Sequence, residues 1–545
     1  MIELHNNYIT VTNDEKIYNK LLYDLSFSIL GRYVRLKNGK KVKTKDQIVT
    51  LYKLDEENGV MYIPSGILWL LEDKIPNYID KRTYNNDKLL SKDKLNFIIK
   101  NIFDYKNILD GIELRVSQLF AIKKILYFNN CIVQLATGAG KTEILCALTK
   151  IITNELNDGV TPTILLFEPT IKLLNDISDR FEKYGIKVNK YSKTRKIYPN
   201  TVNICHPKSL GNDIKNGIVD LSIVDILYCD ECHHLRSDSF SFPIEYLNNV
   251  SYKIGVSASA INQSNIYGDS VEDFTLDELK IMGCTGKMVM NVVAKDDDLK
   301  KALAEPVLVV LHNDADEPLI DTSKKINKYN NEQENIDNWH VISKARLESD
   351  KRTQLIADVT NIFVNRDVKR KIDFPRKVLI LVNTKSLAEK IALKVHELGM
   401  SDITRLSYGN GVFEYYNGSK FCNCDENVFE NFNSGKVLVI IGTQHLVEGI
   451  DVPNLDTVIL AFAGKGERQH IQSLGRVLRK TKSGKYAWII DFTDTNDVVL
   501  REHCRIRIKR CREIIGIENS RIYVDKNIDD LYNIFYKYEV QDVIQ

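Results

Sequence analysis

The sequence predicts an α/β protein of two tandem domains, each a parallel sheet flanked by helices, with a small α+β module before them and a helical tail after them. Two observations predict this class. Short, continuous apolar runs alternate with longer amphipathic stretches, which is typical of buried parallel strands joined by helices. The alternation also occurs twice, on either side of a polar segment at residues 327–338 that is rich in Asn and Glu.

The predicted strands of the first series are residues 132–135, 163–167, 202–205, 223–229 and 253–256. Those of the second series are residues 377–382, 437–441, 456–462 and 487–491. Ahead of both, residues 8–11, 47–54 and 60–63 have strand-like content, and residues 55–59 are a turn signal. The predicted divisions are an N-terminal module (1–95), a first α/β domain (96–300), a linker or insertion (301–345), a second α/β domain (346–495) and a helical C-terminal extension (496–545).

Size and composition fit a globular chain. The 545 residues are 43% hydrophobic and 27% charged, and 75 basic residues nearly balance 73 acidic ones, which gives a formal net charge of +2. Any surface for nucleic acid must therefore be local, because the net charge supplies no general attraction. No run of about 18 apolar residues occurs, the N-terminus is polar, and most of the cysteines lie in apolar stretches. We expect a cytoplasmic protein, in the bacterial host if a phage encodes it.

A phosphate-binding loop follows the first predicted strand of the first series. Gly138 and Gly140 allow backbone N–H groups to curl around phosphate at the start of a helix. Lys141 can reach the β- and γ-phosphates, and the Thr142 hydroxyl can ligate Mg²⁺. The chain departs from the generic pattern at Leu135, where glycine is usual. The sequence therefore predicts a nucleotide site in the first α/β domain.

Two adjacent carboxylates, Asp230 and Glu231, follow the fourth predicted strand of that series. The carboxyl end of a strand is where an α/β fold binds its ligand. We expect Asp230 to hold Mg²⁺ through water and Glu231 to orient and deprotonate the attacking water. The competing interpretation is a zinc cluster built from Cys229, Cys232, His233 and His234. Neighbouring strand residues point to opposite faces and no second ligand pair follows, so the pattern favours the nucleotide site.

These residues belong to a longer series of motifs that resembles helicase superfamily 2 over about residues 111–495. The motifs follow in the order that the superfamily shows. They comprise an adenine-reading segment with Arg115 and Gln118, the phosphate loop, Glu168-Pro169-Thr170, His206-Pro207-Lys208, a DExH sequence from Asp230 to His233, Ser257-Ala258-Ser259, residues 378–384, Gly442-Thr443 with Gly449 and Asp451, and a last motif from Gln472 to Arg479. The chain departs from the usual motifs at Ser259, where Thr is common, and at Ser473, where Arg is common.

The resemblance implies a motor of two RecA-like domains that binds and hydrolyses ATP with Mg²⁺. The implied nucleotide-binding residues are Arg115, Gln118, Thr137, Gly138, Ala139, Gly140, Lys141, Thr142, Gly449 and Asp451, with Thr142 and Asp230 at the Mg²⁺. The implied catalytic residues are Lys141, Asp230, Glu231, Gln472, Arg476 and Arg479. Arg476 and Arg479 lie about one helical turn apart, so both can face the cleft and stabilise charge on the transferred phosphoryl group. His233, Ser257 and Ser259 are implied to couple hydrolysis to movement, with His233 contacting Gln472.

The resemblance also implies contacts to nucleic-acid phosphates. The implied residues are Thr170, Lys172, His206, Lys208, Thr384 and Thr443. Two basic stretches lie outside the motifs. The first comprises Arg32, Arg35, Lys37, Lys40, Lys41, Lys43 and Lys45 beside Tyr33, and it is either a surface for duplex or branched DNA or a solvated loop. The second comprises Arg501, Arg505, Arg507, Lys509, Arg510 and Arg512, and it either packs on the second domain or contacts DNA.

Within the superfamily, the strings from Ala136 to Thr142, from Asp230 to His234 and from His470 to Lys480 resemble the UvsW-type recombination helicases of tailed phages. Membership implies work on branched DNA in recombination, repair or replication: regression of forks, branch migration of Holliday junctions and displacement of RNA from R-loops. Three alternatives stay open, namely an RNA helicase, the motor subunit of a restriction or defence complex, and an inactive nucleic-acid-binding scaffold. The intact nucleotide-site residues argue against the scaffold.

Overall fold

The computed structural model divides the chain into two compact units, Met1–Val292 and Val293–Gln545. It describes residues 1–12, 15–29, 33–35, 41–43, 47–75, 77–293, 304–313, 346–365, 376–408, 412–443, 455–462, 464, 474, 486–494 and 498–538. For residues 15–16, 29, 33–35, 41–43 and 514 it describes the backbone alone. Among these described residues, no helix is both long and apolar enough to cross a membrane.

The first unit is built around a seven-stranded parallel sheet. The described strands of this unit are β1 Ile2–Leu4, β2 Tyr8–Thr12, β3 Ser26–Ile29, β4 Tyr33–Arg35, β5 Lys41–Lys43, β6 Gln47–Thr50, β7 Lys53–Asp55, β8 Val60–Pro64, β9 Ile79–Asp80, β10 Asn130–Leu135, β11 Ile164–Phe167, β12 Val188–Lys190, β13 Val202–Cys205, β14 Ile226–Asp230, β15 Tyr252–Ser257 and β16 Lys287–Val292. Its described α-helices are α1 Glu15–Asp24, α2 Lys92–Lys100, α3 Val116–Phe128, α4 Lys141–Ile151, α5 Ile171–Lys183, α6 Tyr191–Thr194, α7 Pro207–Lys215, α8 Asp238–Ser241 and α9 Leu276–Thr285. The central sheet has the order β12-β13-β11-β14-β15-β10-β16, and all its pairings are parallel.

The central strands are buried, which explains their continuous apolar sequence. Every residue of β11, β13 and β15 is buried, and β14 is buried up to its last residue, Asp230. Strands of a parallel sheet that is covered on both faces consist of continuous apolar residues. Strands of a sheet with one solvent-exposed face alternate polar and apolar residues. Because all strands point the same way, the residues that follow them gather at one edge of the sheet.

The N-terminal module is a second sheet, with the order β7-β8-β2-β1-β9, that packs on the central α/β part. Buried side chains of both parts, such as Ile9 from the module and Met282 from α9, belong to one hydrophobic cluster. Gly66 lies in the 3₁₀-helix Ser65–Leu70, and a Cβ there would stand 2.0 Å from the carbonyl oxygen of Met282. The two backbones therefore meet directly, and the module predicted as 1–95 shares its core with the domain that follows it.

A buried lysine also joins the module to the central sheet. Lys253 lies in β15 and is 3% exposed. Its Nζ donates hydrogen bonds to the carbonyl oxygen of Asn6 and, at 2.5 Å, to Oδ1 of Asn7. Asn6 in turn donates to the carbonyl oxygens of Thr83 at 2.9 Å and Val250 at 3.3 Å. The module is therefore held by specific polar contacts as well as by the shared core.

The basic stretch of the module forms part of a two-stranded antiparallel ribbon. Ile29 of β3 pairs with Gln47 of β6, and Tyr33 of β4 pairs with Lys43 of β5. These are two separate two-stranded antiparallel sheets, β3-β6 and β4-β5, and the name ribbon is used here for the β4-β5 pair. Arg35 pairs with Lys41 two positions further along the ribbon. The other basic residues of this stretch, Arg32, Lys37, Lys40 and Lys45, lie outside the described residues.

The second unit has a nine-stranded sheet of order β21-β20-β19-β22-β18-β23-β24-β17-β25. Its described strands are β17 Glu305–Asn313, β18 Val378–Leu381, β19 Thr404–Ser407, β20 Phe413–Tyr416, β21 Phe421–Cys424, β22 Val439–Gly442, β23 Thr457–Leu460, β24 Tyr486–Asp494 and β25 Ile522–Lys526. Its described α-helices, numbered on from the first unit, are α10 Asp350–Val364, α11 Lys385–Glu397, α12 Val428–Ser434, α13 Val498–Arg510 and α14 Ile528–Tyr536. The pairings are parallel except for β19-β20-β21, which are antiparallel at one edge.

Two predicted divisions differ from the observed second unit. Part of the predicted linker 301–345 is the strand β17, which pairs along its whole length with β24 because Val307–Leu311 is an apolar run that the sheet buries. The C-terminal extension 496–545 is not purely helical, since β25 pairs with β17 and α14 packs its Phe535 against Trp488. Both segments therefore belong to the core of the second unit.

Candidate nucleotide and nucleic-acid site

The predicted phosphate loop connects β10 to α4. Gly138 and Gly140 have φ angles of 84° and 78°, a left-handed conformation that glycine adopts without strain. Gly140 is the N-cap of α4, and a Cβ there would lie 2.3 Å from Nε2 of Gln118. Conformation and space therefore both require glycine at this position. The loop ends at the N-terminus of α4, whose free N–H groups favour an anion.

Arg115 and Gln118 both hydrogen bond to this loop. Arg115 donates to the carbonyl oxygen of Ala139 at 2.5 Å, and the Gln118 amide donates to the carbonyl oxygens of Ala139 and Gly140 at 3.2 and 3.3 Å. The other end of the Gln118 amide accepts the backbone N–H of Arg115 at 2.8 Å. The structure thus brings Arg115 and Gln118 together with Thr137, Gly138, Ala139, Gly140, Lys141 and Thr142. Recognition of the base by Gln118 stays a prediction.

The two predicted catalytic carboxylates lie beside the loop lysine. Nζ of Lys141 contacts Oε1 of Glu231 at 2.6 Å, and both side chains are largely buried. Asp230 ends β14, and its Oδ1 accepts the N–H of Glu231 at 2.8 Å. Glu231 itself has φ 45° and ψ 50°, which is a strained, left-handed conformation for a residue with a side chain. That conformation turns the chain sharply, so both carboxylates reach the same edge of the sheet.

The two carboxylates have opposite electrostatic surroundings. Burial raises the pKa of Asp230 to about 6, although the charge of Lys141 opposes the rise. Burial also acts to raise the pKa of Glu231, but the charge of Lys141 and a hydrogen bond from His233 hold that pKa well below its usual range. Burial therefore disfavours the ionised form of Asp230, and a bound cation would favour it. Glu231 is ionised by its neighbours, as an acceptor of a proton must be.

The predicted coupling residues surround Glu231. Oε2 of Glu231 accepts a hydrogen bond from Oγ of Ser257 at 3.2 Å and lies 3.3 Å from Nδ1 of His233. His233 and Ser257 also contact one another at 2.9 Å, and the N–H of Ser259 donates to Ser257 at 3.2 Å. His233 is 2% exposed, so these contacts fix its ring. The end of β15 is therefore joined to the catalytic carboxylate through a continuous polar network.

Glu168 is a site residue whose role the motifs did not reveal. It follows β11 directly, it is 1% exposed, and its N–H continues the ladder by donating to Cys205 at 3.0 Å. Burial raises its pKa well above the usual range, and the charges of Asp230 and Glu231 add to the rise. The sequence did contain a signal, because a carboxylate directly after a buried apolar strand must lie at the ligand-binding edge.

The donor atoms at this edge fit a Mg²⁺ ion. Thr142 and Asp230 supply a hydroxyl and a carboxylate, which are the hard oxygen ligands that Mg²⁺ prefers. Within the described part of the chain, no group of three or more His, Cys, Asp or Glu side chains forms a cage for a metal ion. Mg²⁺ at nucleotide sites usually keeps waters and substrate phosphates around one or two carboxylates, so no such cage is required.

The predicted nucleic-acid residues of the first unit follow the next strands of the same sheet. Thr170 is the N-cap of α5, and its hydroxyl accepts the N–H of Leu173 at 3.2 Å. His206 is the N-cap of α7, directly after β13, and burial lowers its pKa. Lys208 is exposed and Lys172 is half-buried in α5. The four residues therefore lie at the same sheet edge as the nucleotide site, but further from the phosphate loop.

The second unit repeats this arrangement with Thr384 and Thr443. Thr384 is the N-cap of α11, after β18, and its hydroxyl accepts the N–H of Leu387 at 3.2 Å. Thr443 follows β22, the neighbouring strand, and its N–H donates to Ser407 at 3.2 Å. The remaining predicted residues of this unit, Gly449, Asp451, Gln472, Arg476 and Arg479, lie outside the described residues. Their roles, and the contact of His233 with Gln472, stay predictions.

Two family models match the sequence. The family described as Type III restriction enzyme, res subunit, matches residues 111–261. The family described as helicase conserved C-terminal domain matches residues 355–481. The first match contains the phosphate loop and both predicted catalytic carboxylates, and the second contains the last predicted motif. Together the matches extend over slightly more than half of the chain.

Curated relatives agree with these matches. The DNA 3'-5' translocase XPB2 of Sulfurisphaera tokodaii is 25% identical over 428 residues, which cover 74% of this chain and 86% of that protein. Helicase 22 of Sulfolobus islandicus filamentous virus is 22% identical over 510 residues, which cover 91% of this chain and 80% of that protein. Among solved structures, T4 UvsW is 18% identical and covers 97% of this chain and 99% of its own, with a TM-score of 0.38.

The family matches and the site agree with the superfamily that the motifs predict. The phosphate loop, the paired carboxylates and the serine network are assembled at one sheet edge of the first unit. The second unit has the same parallel architecture, and it carries the helicase C-terminal match. The chain is a superfamily 2 helicase, a nucleic-acid-dependent ATPase built from two RecA-like domains.

Proposed function

We propose that this helicase is a motor for branched DNA, which unwinds or migrates forks, Holliday junctions and R-loops in recombination, repair or replication. The observation that carries the proposal is the basic ribbon of the N-terminal module, which shares its core with the ATP-binding part. DNA is favoured over RNA because the relative from Sulfurisphaera tokodaii is named a DNA translocase. The resemblance of the motif strings to UvsW-type helicases of phages supports the choice of branched substrates.

The proposed chemistry assigns one task to each residue of the nucleotide site. Lys141 leaves Glu231 and binds the β- and γ-phosphates, which releases the Glu231 carboxylate to orient and deprotonate the attacking water. Thr142 and Asp230 hold Mg²⁺, which supplies charge stabilisation to the phosphates. Arg476 and Arg479 stabilise charge on the transferred phosphoryl group, with Gln472 beside them. The remaining proposed nucleotide contacts are Arg115, Gln118, Thr137, Gly138, Ala139, Gly140, Gly449 and Asp451.

Strand contacts are proposed at the ends of the neighbouring strands in each unit. Thr170, His206 and Lys208 in the first unit, and Thr384 and Thr443 in the second, offer hydroxyl, imidazole and ammonium groups to phosphates. Lys172, the second residue of α5, is proposed as a further phosphate contact. His233, Ser257 and Ser259 transmit the state of Glu231 toward the end of β15, through the contacts they already make.

The ribbon is proposed to contact the duplex next to the branch. A two-stranded β-ribbon fits the major groove of B-DNA, and cationic residues along it bind phosphates. Tyr33 pairs with Lys43 and Arg35 pairs with Lys41, two positions apart in the register of β4 and β5.

A second candidate function is the motor subunit of a restriction or defence complex. One observation favours it, namely that the family model over residues 111–261 is described as a restriction-enzyme subunit. Such a motor translocates on unbranched duplex DNA, so it requires no preference for a branch. Substrate preference therefore separates the two candidates, as it also separates both from an RNA helicase.

Neutralising the ribbon tests the proposed function directly. The change is Arg35→Gln, Lys41→Gln and Lys43→Gln together in the full chain. We expect weaker fork binding, with a salt slope that falls by about one unit for each phosphate that the variant no longer neutralises. ATP hydrolysis stimulated by single-stranded DNA should stay at the level of the unaltered chain, because the substituted residues lie outside the nucleotide site. Fork binding is measured by fluorescence anisotropy across a salt series.

The matched control carries the same charge change elsewhere in the first unit. Lys92→Gln, Lys100→Gln and Lys124→Gln alter three exposed or half-exposed lysines of α2 and α3. Equal fork binding and equal salt slope in both triple variants would refute a role for the ribbon. Weaker fork binding by the ribbon variant alone supports it.

A further inference from the structure

Glu168 lies level with Asp230 on the neighbouring strand. β11 and β14 pair in parallel with Phe167 opposite Cys229, so the next residue along each strand is Glu168 and Asp230. Adjacent strands lie about 4.8 Å apart, and side chains at equal positions on neighbouring strands point to the same face. The two carboxylates therefore stand side by side, with Glu168 on the side of Asp230 away from the phosphate loop.

Among the described residues, no N–H or hydroxyl donor explains the burial of this carboxylate, whose hydrogen-bond partner is the neighbouring carboxyl group of Asp230. In the part of the chain that the structure describes, no hydrogen-bond donor reaches Oε1 or Oε2 of Glu168. Asp230 is itself an acceptor, so the two groups can hydrogen bond only through a shared proton or a bridging water. Burying a carboxylate that no donor satisfies lowers the stability of the folded chain. A residue with a purely structural role would not require that cost.

The space beside it fits one water molecule. A cavity of about 10 Å³, measured as room for the centre of a water, is lined by Glu168, Asp230 and Glu231 among others. That volume is on the order of what a single water needs. The cavity borders both Glu168 and Asp230, the residue at which the metal is proposed to bind.

We propose that Glu168 is a positioning residue of the ATPase, which holds, through a water in this cavity, the hydration shell of the divalent cation bound at Asp230. The inference rests on the proposed Mg²⁺ site. A water held by two carboxylates also fixes the orientation of Asp230, as outer-shell partners of metal sites commonly do.

Mn²⁺ binding tests this role without relying on activity. The full chain is titrated with Mn²⁺ in the presence of ADP, and free Mn²⁺ is followed by its electron paramagnetic resonance signal. We expect Glu168→Gln to weaken Mn²⁺ binding by about tenfold, within the range known for outer-shell residues. Binding of ADP measured without metal should be unchanged. The metal-free Glu168→Gln protein should also melt at a higher temperature than the unaltered chain, because an acidic group no longer has to be buried beside two others.

Two companion variants keep the outcome decisive. Glu278→Gln is the matched control, since Glu278 is also 1% exposed but accepts the N–H of Asn262 at 2.6 Å, away from the phosphate loop. Asp230→Asn is the positive control for the metal site itself. If Glu168→Gln, or Glu168→Ala should the first variant fold poorly, binds Mn²⁺ as tightly as Glu278→Gln, the inference is wrong. If Asp230→Asn also binds Mn²⁺ normally, the failure lies in the proposed metal site and not in Glu168 alone.

Discussion

At the scale of single residues, the ion pair between Lys141 and Glu231 defines the state of the nucleotide site. Nζ of Lys141 lies 2.6 Å from Oε1 of Glu231. The proposed reaction, however, requires Lys141 to bind the phosphates of ATP and Glu231 to bind the attacking water. Arrival of ATP therefore exchanges one partner of Lys141 for another, and Glu231 keeps Ser257 and His233 to hold it in place. The left-handed backbone of Glu231 is a strain of about 1–3 kcal/mol that such a position at an active site explains.

Glu231→Gln should abolish turnover and spare ATP binding. The amide keeps the shape of the side chain but cannot accept the proton of the attacking water, so DNA-stimulated phosphate release should fall roughly 100-fold or more. ATP binding, followed with a fluorescent ATP analogue, should be retained because Lys141 gains freedom to bind phosphate. Glu182→Gln, an exposed glutamate of α5, is the control for the same substitution. Undiminished turnover in the Glu231 variant would remove this residue as the base.

At the scale of elements, Lys253 links the stability of the first unit to pH. Burial lowers its pKa from 10.5 to about 7 in the folded chain, whereas the unfolded chain keeps the ordinary value. Between these two values the unfolded state binds more protons than the folded state, so stability rises as pH increases through that window. Below about pH 7 both states are protonated, and the full cost of burying the charge is present.

Lys253→Met should remove that dependence. We expect the free energy of unfolding of the unaltered chain to gain up to about 1.4 kcal/mol per pH unit from this lysine between pH 7 and 10. Urea unfolding at several pH values measures it, and the stability of the unaltered chain relative to the Met variant should rise with pH across this window. A constant difference between the two proteins across the window would show that Lys253 is not buried in this way.

In the second unit, Arg507 of α13 forms a buried, bidentate ion pair with Asp491 of β24. Its Nε and Nη2 donate to the two carboxylate oxygens at 2.8 Å each, and both side chains are 2% exposed. Arg507 therefore belongs to the packing of α13 on the sheet, which settles the role of one residue of the C-terminal basic stretch. Arg505, Lys509 and Arg512 are exposed, so a contact with DNA stays a hypothesis for them.

Arg507→Met should destabilise the second unit strongly. Removing one partner leaves the Asp491 carboxylate buried without compensation, which typically costs about 3–5 kcal/mol. Arg505→Met removes an equal charge from the exposed face of the same helix and should change stability little. Thermal unfolding of both variants gives the comparison. Similar midpoints for the two would contradict the buried pair.

At the scale of the whole molecule, the features that could be predicted from the sequence are those that depend on local residue patterns. The central strands of both units matched their predicted positions within a few residues, because buried parallel strands are continuous apolar runs. The phosphate loop was predictable because its glycines act locally. Short strands such as β12 and β19 were missed, since three or four residues without a strong pattern carry too little signal.

Features that depend on distant parts of the chain were not predictable. Residues 1–95 look separable in sequence, but the contact of Gly66 with Met282 shows a shared core. β17 falls within the predicted linker because its partner, β24, lies far along the chain. The role proposed for Glu168 depends on the pairing of β11 with β14, which places this residue beside Asp230. These three features could not be predicted because each depends on contacts between residues that are far apart in the sequence.

The central claim is that this helicase acts on branched DNA, and unwinding on a matched set of substrates tests it most directly. The full chain is given a replication fork, a four-way junction, a linear duplex with a single-stranded tail and an RNA duplex, with equal paired length and equal ATP. We expect the fastest ATP-dependent unwinding on the fork and the junction. Equal or faster unwinding of the linear duplex, or a preference for the RNA duplex, would contradict it.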